Sequence, residues 1–332
     1  MKQLEVELFL KELGDDQPGM SKPVMVIADD GEQYILKNQN VFDPRPQKWV
    51  TWDCMFLQET LVYNIATHLQ VPIPECAAIT VDKEFIDHAP TLNFKHRYSP
   101  GVYFGSKVLE NVENNLLDGY QQLLNLGKPY VKTSWNNFFK KITNKDDIPK
   151  IIALDLLTAN FDRFGNTGNI LISRENTDRK MYIIDHGHAF SLPSWSIQKR
   201  EFMMQASQNP AYIQHVLQTL HGASGNQPFS GLGKIFRALE QYIDISNPNQ
   251  HCFQNIVHEI ETISPPLINE WLTDIPEEWF VDKTNQIPLY TRFLMQQKDL
   301  IRILINHMAM LGAFDSHTGG DLSWISKRTG TL

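Results

Sequence analysis

Apolar and polar positions along the chain change their period near its middle. Residues 3–11 alternate loosely, as a strand opening a sheet would. Residues 14–22 collect Gly, Pro, Asp and Ser and read as a turn or loop. Residues 23–28 are strand-like, 29–32 carry an Asp-Gly turn signal, and 33–38 form the return strand of an expected hairpin. The Pro-punctuated stretch 41–52 reads as loop. Leu57, Leu61, Ile65 and Leu69 then fall on one stripe and predict a helix over 53–69, with Asp53 as its N-cap. Residues 71–75 break that helix, and a short strand follows at 76–82. Residues 84–100 read as irregular, and a last strand over 101–110 runs into a connector.

From residue 111 the spacing turns helical. Short helices are expected at 121–126 and 135–142, then one that Pro149 opens and Asn160 closes, with Ile151, Leu154 and Leu157 apolar. A polar loop, 161–169, precedes two short strands, 170–173 and 181–184. Helices are expected again at 209–220, 232–245, 251–263, 265–273 and 289–311, and the polar, Gly-rich tail from about 314 is expected to be mobile. The pattern thus predicts an α+β chain in two parts, 1–110 and 111–332.

Composition narrows the function classes. A chain of 332 residues with 42% hydrophobic content can bury a core of two-domain size. A net charge of −8 argues against direct binding to nucleic acid or an anionic membrane surface, since both need basic surface. No apolar run reaches membrane-spanning length, and the acidic N-terminus does not read as a signal peptide. Cys54, Cys76 and Cys252 are odd in number and widely spaced, which fits reduced thiols in a cytoplasmic protein better than a disulfide or zinc framework.

The densest chemistry lies between 151 and 190. Asp162 and Asn169 share a loop, and Asp185 ends the second strand of the hairpin that follows, before His186 and Gly187. Phosphoryl transfer needs a carboxylate to orient the attacking hydroxyl, and an amide oxygen and a second carboxylate to hold Mg²⁺ on the phosphates. Mg²⁺ takes hard oxygen ligands and keeps much of its water, so one Asn and one Asp suffice from the protein. A hairpin between Asn169 and Asp185 would let them meet at one ion. Asp185, His186 and His188 could alternatively hold a transition metal, but alternation along an extended stretch sends the two imidazoles apart.

This segment, with Asp162-Arg163, Asn169 before Ile170-Leu171-Ile172, and Ile183-Ile184-Asp185-His186-Gly187, resembles the HipA-like kinases, relatives of the toxin kinases of bacterial toxin–antitoxin systems. It is also similar to the phosphatidylinositol kinases, which share the Asp-Arg start of the loop. The resemblance implies a two-lobed protein-kinase-like fold, with a small β-rich N-lobe carrying one helix and a large, mainly helical C-lobe. It implies ATP and Mg²⁺ as cofactors, Asp162 as the catalytic residue, and Asn169 and Asp185 as metal ligands. Asn169 stands where the family's metal-binding Asn stands, and the mid-loop Asn166 competes with it. Arg163 reads as a structural residue. Lys37 on the return strand would meet the α- and β-phosphates, with Glu59 of the next helix as its partner. Ile35, on the same strand face, would cover the adenine. Gly19, Ser21 and Lys22 are similar to the short phosphate-binding start of some HipA-like kinases.

The leading reading is therefore a kinase for Ser or Thr hydroxyls of a protein, itself included. A lipid or small-molecule kinase of the same fold, or a nucleotide-binding pseudokinase, remain the alternatives. A toxin-like action would imply an antitoxin-like partner.

Overall fold

A computed structural model describes residues 1–13, 22–43, 46–113, 137–223 and 239–326. The N-terminal part holds strands β1 (Lys2–Glu12), β2 (Val24–Ala28), β3 (Gln33–Leu36), β4 (Asn40–Asp43) and β5 (Lys48–Thr51), then helix α1 (Met55–His68). It continues through β6 (Cys76–Val81), α2 (Lys83–His88), α3 (Pro90–His96) and β7 (Gly101–Lys107). Five of the strands close a barrel in the order β1-β2-β3-β7-β6, with β1 parallel to β6. The expected hairpin is β2–β3. It turns at Gly31, whose φ of 79° is a left-handed value that glycine adopts without a Cβ clash. Alternation then sends Val24, Val26, Ala28, Tyr34 and Leu36 into the barrel.

Helix α1 buries Leu57, Leu61 and Ile65 on the expected stripe. Its cap differs from expectation. Cys54 is the N-cap and its side chain makes no capping bond. Asp53 lies one residue too early, and its carboxylate instead accepts from the Trp195 backbone N–H at 2.7 Å. The stretch read as loop over 41–52 contains the β4–β5 hairpin, and the stretch read as irregular contains α2 and α3. Among its described residues the N-terminal part therefore has three helices rather than one. Local capping explains the two additions. The Asp82 side chain accepts from Phe85 N–H at the start of α2, and Pro90 occupies the first turn of α3.

The C-terminal part is mainly helical. Its described elements are α4 (Ile148–Leu157), the one-turn α5 (Asp162–Gly165), β8 (Ile170–Glu175), β9 (Asp178–Ile183) and α6 (Ile197–Gln205). They continue with α7 (Pro210–Ala223), α8 (Gln254–Thr262), α9 (Pro265–Thr273), α10 (Lys283–Lys298) and α11 (Ile301–Met310). Pro149 sits in the first turn of α4, which stops at Leu157, short of Asn160, because Ala159 turns left-handed with φ 48°. The single helix expected over 289–311 is two, broken at Asp299 and Leu300. Helix α6 had no counterpart in the expectations. The expected helix at 121–126, residues 135–136 of the next and residues 232–238 of a later one fall outside the described residues. The described remainder of those two is a short helical turn at 137–138 ended by left-handed Lys141, and a 3-10 turn at Glu240–Tyr242, rather than continuous helix.

Residues 314–326, expected to hang free, are tied down by Phe314 and Leu322, which are buried, and by His251, which bonds the Ser323 carbonyl. One continuous apolar core joins barrel and helices. Trp279 reinforces that junction by donating from Nε1 to the Val102 carbonyl of β7 at 3.0 Å. Cys54, Cys76 and Cys252 are free thiols. No helix among the described residues is long and apolar enough to cross a membrane.

After β7 the chain lies against β8. Glu113 N–H donates to the Ile172 carbonyl at 2.8 Å, Ser173 Oγ donates to the Glu110 carbonyl at 2.7 Å, and Val112 bridges Ser173. The Glu113 carboxylate accepts from Arg174 at 2.7 Å and Arg179 at 2.6 Å. Arg179, then Arg174, hold its pKa down at about 2, against partial burial. A depressed carboxylate stabilises the fold above its unfolded value near 4.5 and loses that contribution as pH falls toward about 2. Glu113→Gln is therefore expected to cost about 1 kcal/mol at pH 7, allowing for solvent screening. The gap to the parent protein should close between pH 4.5 and 2 in urea titrations.

Candidate functional site

The β8–β9 hairpin brings the central residues together. Ile170 pairs with Ile183, and Ile184 N–H donates to the Asn169 carbonyl at 3.2 Å, so Asn169 lies opposite Ile184, the residue before Asp185, at the hairpin's open end. Asp185 adopts a left-handed conformation, φ 61°, which aspartate tolerates better than most residues. Asp162 begins the one-turn α5, and its Oδ2 accepts from Asn169 Nδ2 at 2.8 Å. That bond fixes the Asn169 amide and leaves its Oδ1 available. Asn166 is exposed, its Nδ2 is 3.4 Å from the same carboxylate, and its Oδ1 is used by Gly168 N–H at 3.1 Å. Of the two asparagines, Asn169 is the one whose side-chain oxygen is not taken up by a turn N–H.

The barrel supplies the opposite wall. Lys37, immediately after β3, pairs with Glu59 of α1 and, at 3.0 Å, with Asp185 Oδ1. Glu59 also accepts from the His186 backbone N–H at 3.0 Å. The Lys37 and Glu59 side chains are 14% and 2% exposed, whereas Asp185 is 41% exposed, so the carboxylate edge of this chain of charges faces the open side. Burial opposes the Lys37 ammonium, yet Asp185 and Glu59 together raise its pKa. Burial also opposes the Asp185 anion, but Lys37 holds its pKa at about 2. Burial raises the Glu59 carboxyl, with Lys37 pulling the other way. Ile35 shares Lys37's half-buried side of the strand, while Tyr34, Leu36 and Asn38 point inward. Lys22 stands just before β2; Gly19 and Ser21 lie outside the described residues.

Gly187 is required by close approach. A Cβ there would lie 2.6 Å from Met55 Cγ and 3.4 Å from Glu59 Oε1. Gly187→Ala is expected to cost about 1–3 kcal/mol as an overpacked contact. Met55→Ala in the same chain should return part of that loss in urea denaturation.

Buried Asp155 escaped the sequence reading, as did the pairing of His186 with Arg163. Asp155 lies on α4 with no exposure and binds Arg163, and His186 receives Arg163 at its ring. The one signal for Asp155 was a carboxylate inside the otherwise apolar run 151–157. Burial, with Arg163 and Lys37 beside it, holds the His186 pKa well below the usual imidazole value. His186 is buried and His188 packs edge-on to Trp52 with ring centres 4.7 Å apart. Among the described residues no three His, Cys, Asp or Glu side chains gather as a metal site. The hard-oxygen pair, Asn169 and Asp185, fits a largely hydrated Mg²⁺, which needs fewer protein ligands.

The profile of the HipA-like kinase family matches residues 13–221. Among solved structures, the Helicobacter pylori proinflammatory kinase CtkA is similar at 15% identity with a TM-score of 0.48, over 92% of this chain and 95% of that one. No curated protein matches the chain in sequence.

Proposed function

This chain belongs to the HipA-like kinase family, and we propose that it uses ATP and Mg²⁺ to phosphorylate a Ser or Thr hydroxyl of a protein. The observation that supports the proposal is that two pairs, Asp162 bonded to Asn169 and Lys37 bonded to Asp185, are tied together through the β8–β9 hairpin end and the Arg163 guanidinium. Lys37 would hold the α- and β-phosphates while Glu59 keeps its ammonium in place. Asn169 Oδ1 and Asp185 would hold the ion, whose charge offsets that building on the phosphoryl oxygens. Asp162 would accept a hydrogen bond from the acceptor hydroxyl and aim its oxygen at the γ-phosphorus. The new P–O bond forms as the bond to the β,γ-bridging oxygen breaks. ADP leaves, and the proton passes through Asp162 to solvent.

A protein acceptor is preferred to a lipid because the chain carries a net charge of −8. A cytoplasmic setting rests on the few, widely spaced cysteines, and a toxin-like action and an antitoxin-like partner rest on the family resemblance. The test is incubation of the purified protein with γ-labelled ATP, Mg²⁺ and a cell lysate, followed by phosphoamino-acid analysis and lipid extraction. Label on protein Ser or Thr is expected. Label confined to lipid or small molecules would overturn the choice of acceptor. Bound nucleotide with no label anywhere would select a pseudokinase.

A further inference from the structure

Arg163 follows Asp162 directly, yet its side chain has no exposure to solvent. Its guanidinium makes four contacts. Nε donates to Asp155 Oδ2 at 2.8 Å, and Nη1 donates to the carbonyls of Asn169 and, at 2.9 Å, of Ile184. Nη2 meets His186 Nδ1 at 2.9 Å. A guanidinium can only donate, so His186 Nδ1 accepts and the ring carries its proton on Nε2. Asn169 is itself one of the two proposed ion ligands, and Ile184 and His186 are the neighbours on either side of the other, Asp185.

We infer that Arg163 is the positioning residue of the ion site: one buried guanidinium, anchored by Asp155, sets the spacing between Asn169 and Asp185, and His186 stands in the Asp-x-Gly sequence as its acceptor. This rests on the proposed Mg²⁺ role of those two residues. The physical ground is the rigid planar fork of arginine, which fixes two carbonyls and a ring nitrogen relative to one another. An ammonium offers the charge without that geometry. A phenylalanine at 186 would fill the space and leave one buried N–H unpaired.

The experiment measures Mn²⁺ binding, by electron paramagnetic resonance, to the full chain loaded with a non-hydrolysable ATP analogue. Parent, Arg163→Lys, Arg163→Met and His186→Phe proteins are compared, with circular dichroism and metal-free nucleotide binding as controls. Both Arg163 variants are expected to weaken Mn²⁺ about 10- to 100-fold, the range for residues that orient metal ligands. His186→Phe should move the same way by a smaller factor, and metal-free nucleotide affinity should stay unchanged. Mn²⁺ affinity at the parent value in Arg163→Lys would overturn the inference, because charge alone would then suffice. Should the Arg163 variants fail to fold, His186→Phe decides, and parent-like affinity there overturns it. No Mn²⁺ binding by the parent protein would instead sink the Mg²⁺ reading on which the inference rests.

Discussion

An Asp162→Asn protein is expected to transfer phosphate about 10²- to 10⁴-fold more slowly than the parent, the usual contribution of a positioned acid–base group. The size follows from what the side chain does in the proposed step. The hydroxyl must lose its proton as the new P–O bond forms, and an amide accepts a hydrogen bond too weakly to direct it. Binding should survive the change. Asp162 lies outside the Lys37–Glu59–Asp185 group, and its internal bonds are those it accepts from Asn169 and Asn166. Single-turnover kinetics at saturating ATP, beside calorimetric nucleotide binding, separate the two. The expected result is a collapsed rate constant with nucleotide affinity within about threefold, since only transition-state contacts are removed.

Asp185→Asn is expected to cost about 10²- to 10³-fold in rate, comparable to losing one preorganised electrostatic group. Its signature differs from that of Asp162. The carboxylate both faces the proposed ion and holds Lys37 at 3.0 Å. Its loss should raise the Mg²⁺ concentration needed for half-maximal rate. Excess Mg²⁺ should restore part of the activity of Asp185→Asn and none of that of Asp162→Asn. Titrations of rate against Mg²⁺ for the two variants check this. Equal behaviour of both would mean that Asp185 does not act through an ion.

Much of this layout could be read from local signals, and the omissions have physical causes. The β2–β3 hairpin and α1 were legible because alternation, an Asp-Gly turn and a four-residue stripe are short-range features. The β4–β5 hairpin was hidden because the prolines in the sequence between Asp43 and Lys48 read as loop signals. Helices α2 and α3 were missed because they bury little, chiefly Ile86, Leu92 and His96, so no apolar stripe marks them. The break between α10 and α11 has neither Gly nor Pro to announce it. In the site, spacing alone suggested that a hairpin could bring Asn169 to Asp185. The pairing of Lys37 with Glu59 was expected only through family resemblance, since nothing local links a strand end to a helix face. The Arg163–His186 contact was invisible, because it exists only once α4, α5 and β9 have packed together.

The central claim is that Lys37, Asp162, Asn169 and Asp185 form one phosphoryl-transfer centre. It is tested most directly by incubating the purified chain with γ-labelled ATP and Mg²⁺, beside Asp162→Ala and Asp185→Ala proteins, and following label and intact mass. The account predicts Mg²⁺-dependent transfer from ATP to the chain itself or to an added lysate protein, lost in both variants. Nucleotide that never binds, or labelling that persists in both variants, would contradict it.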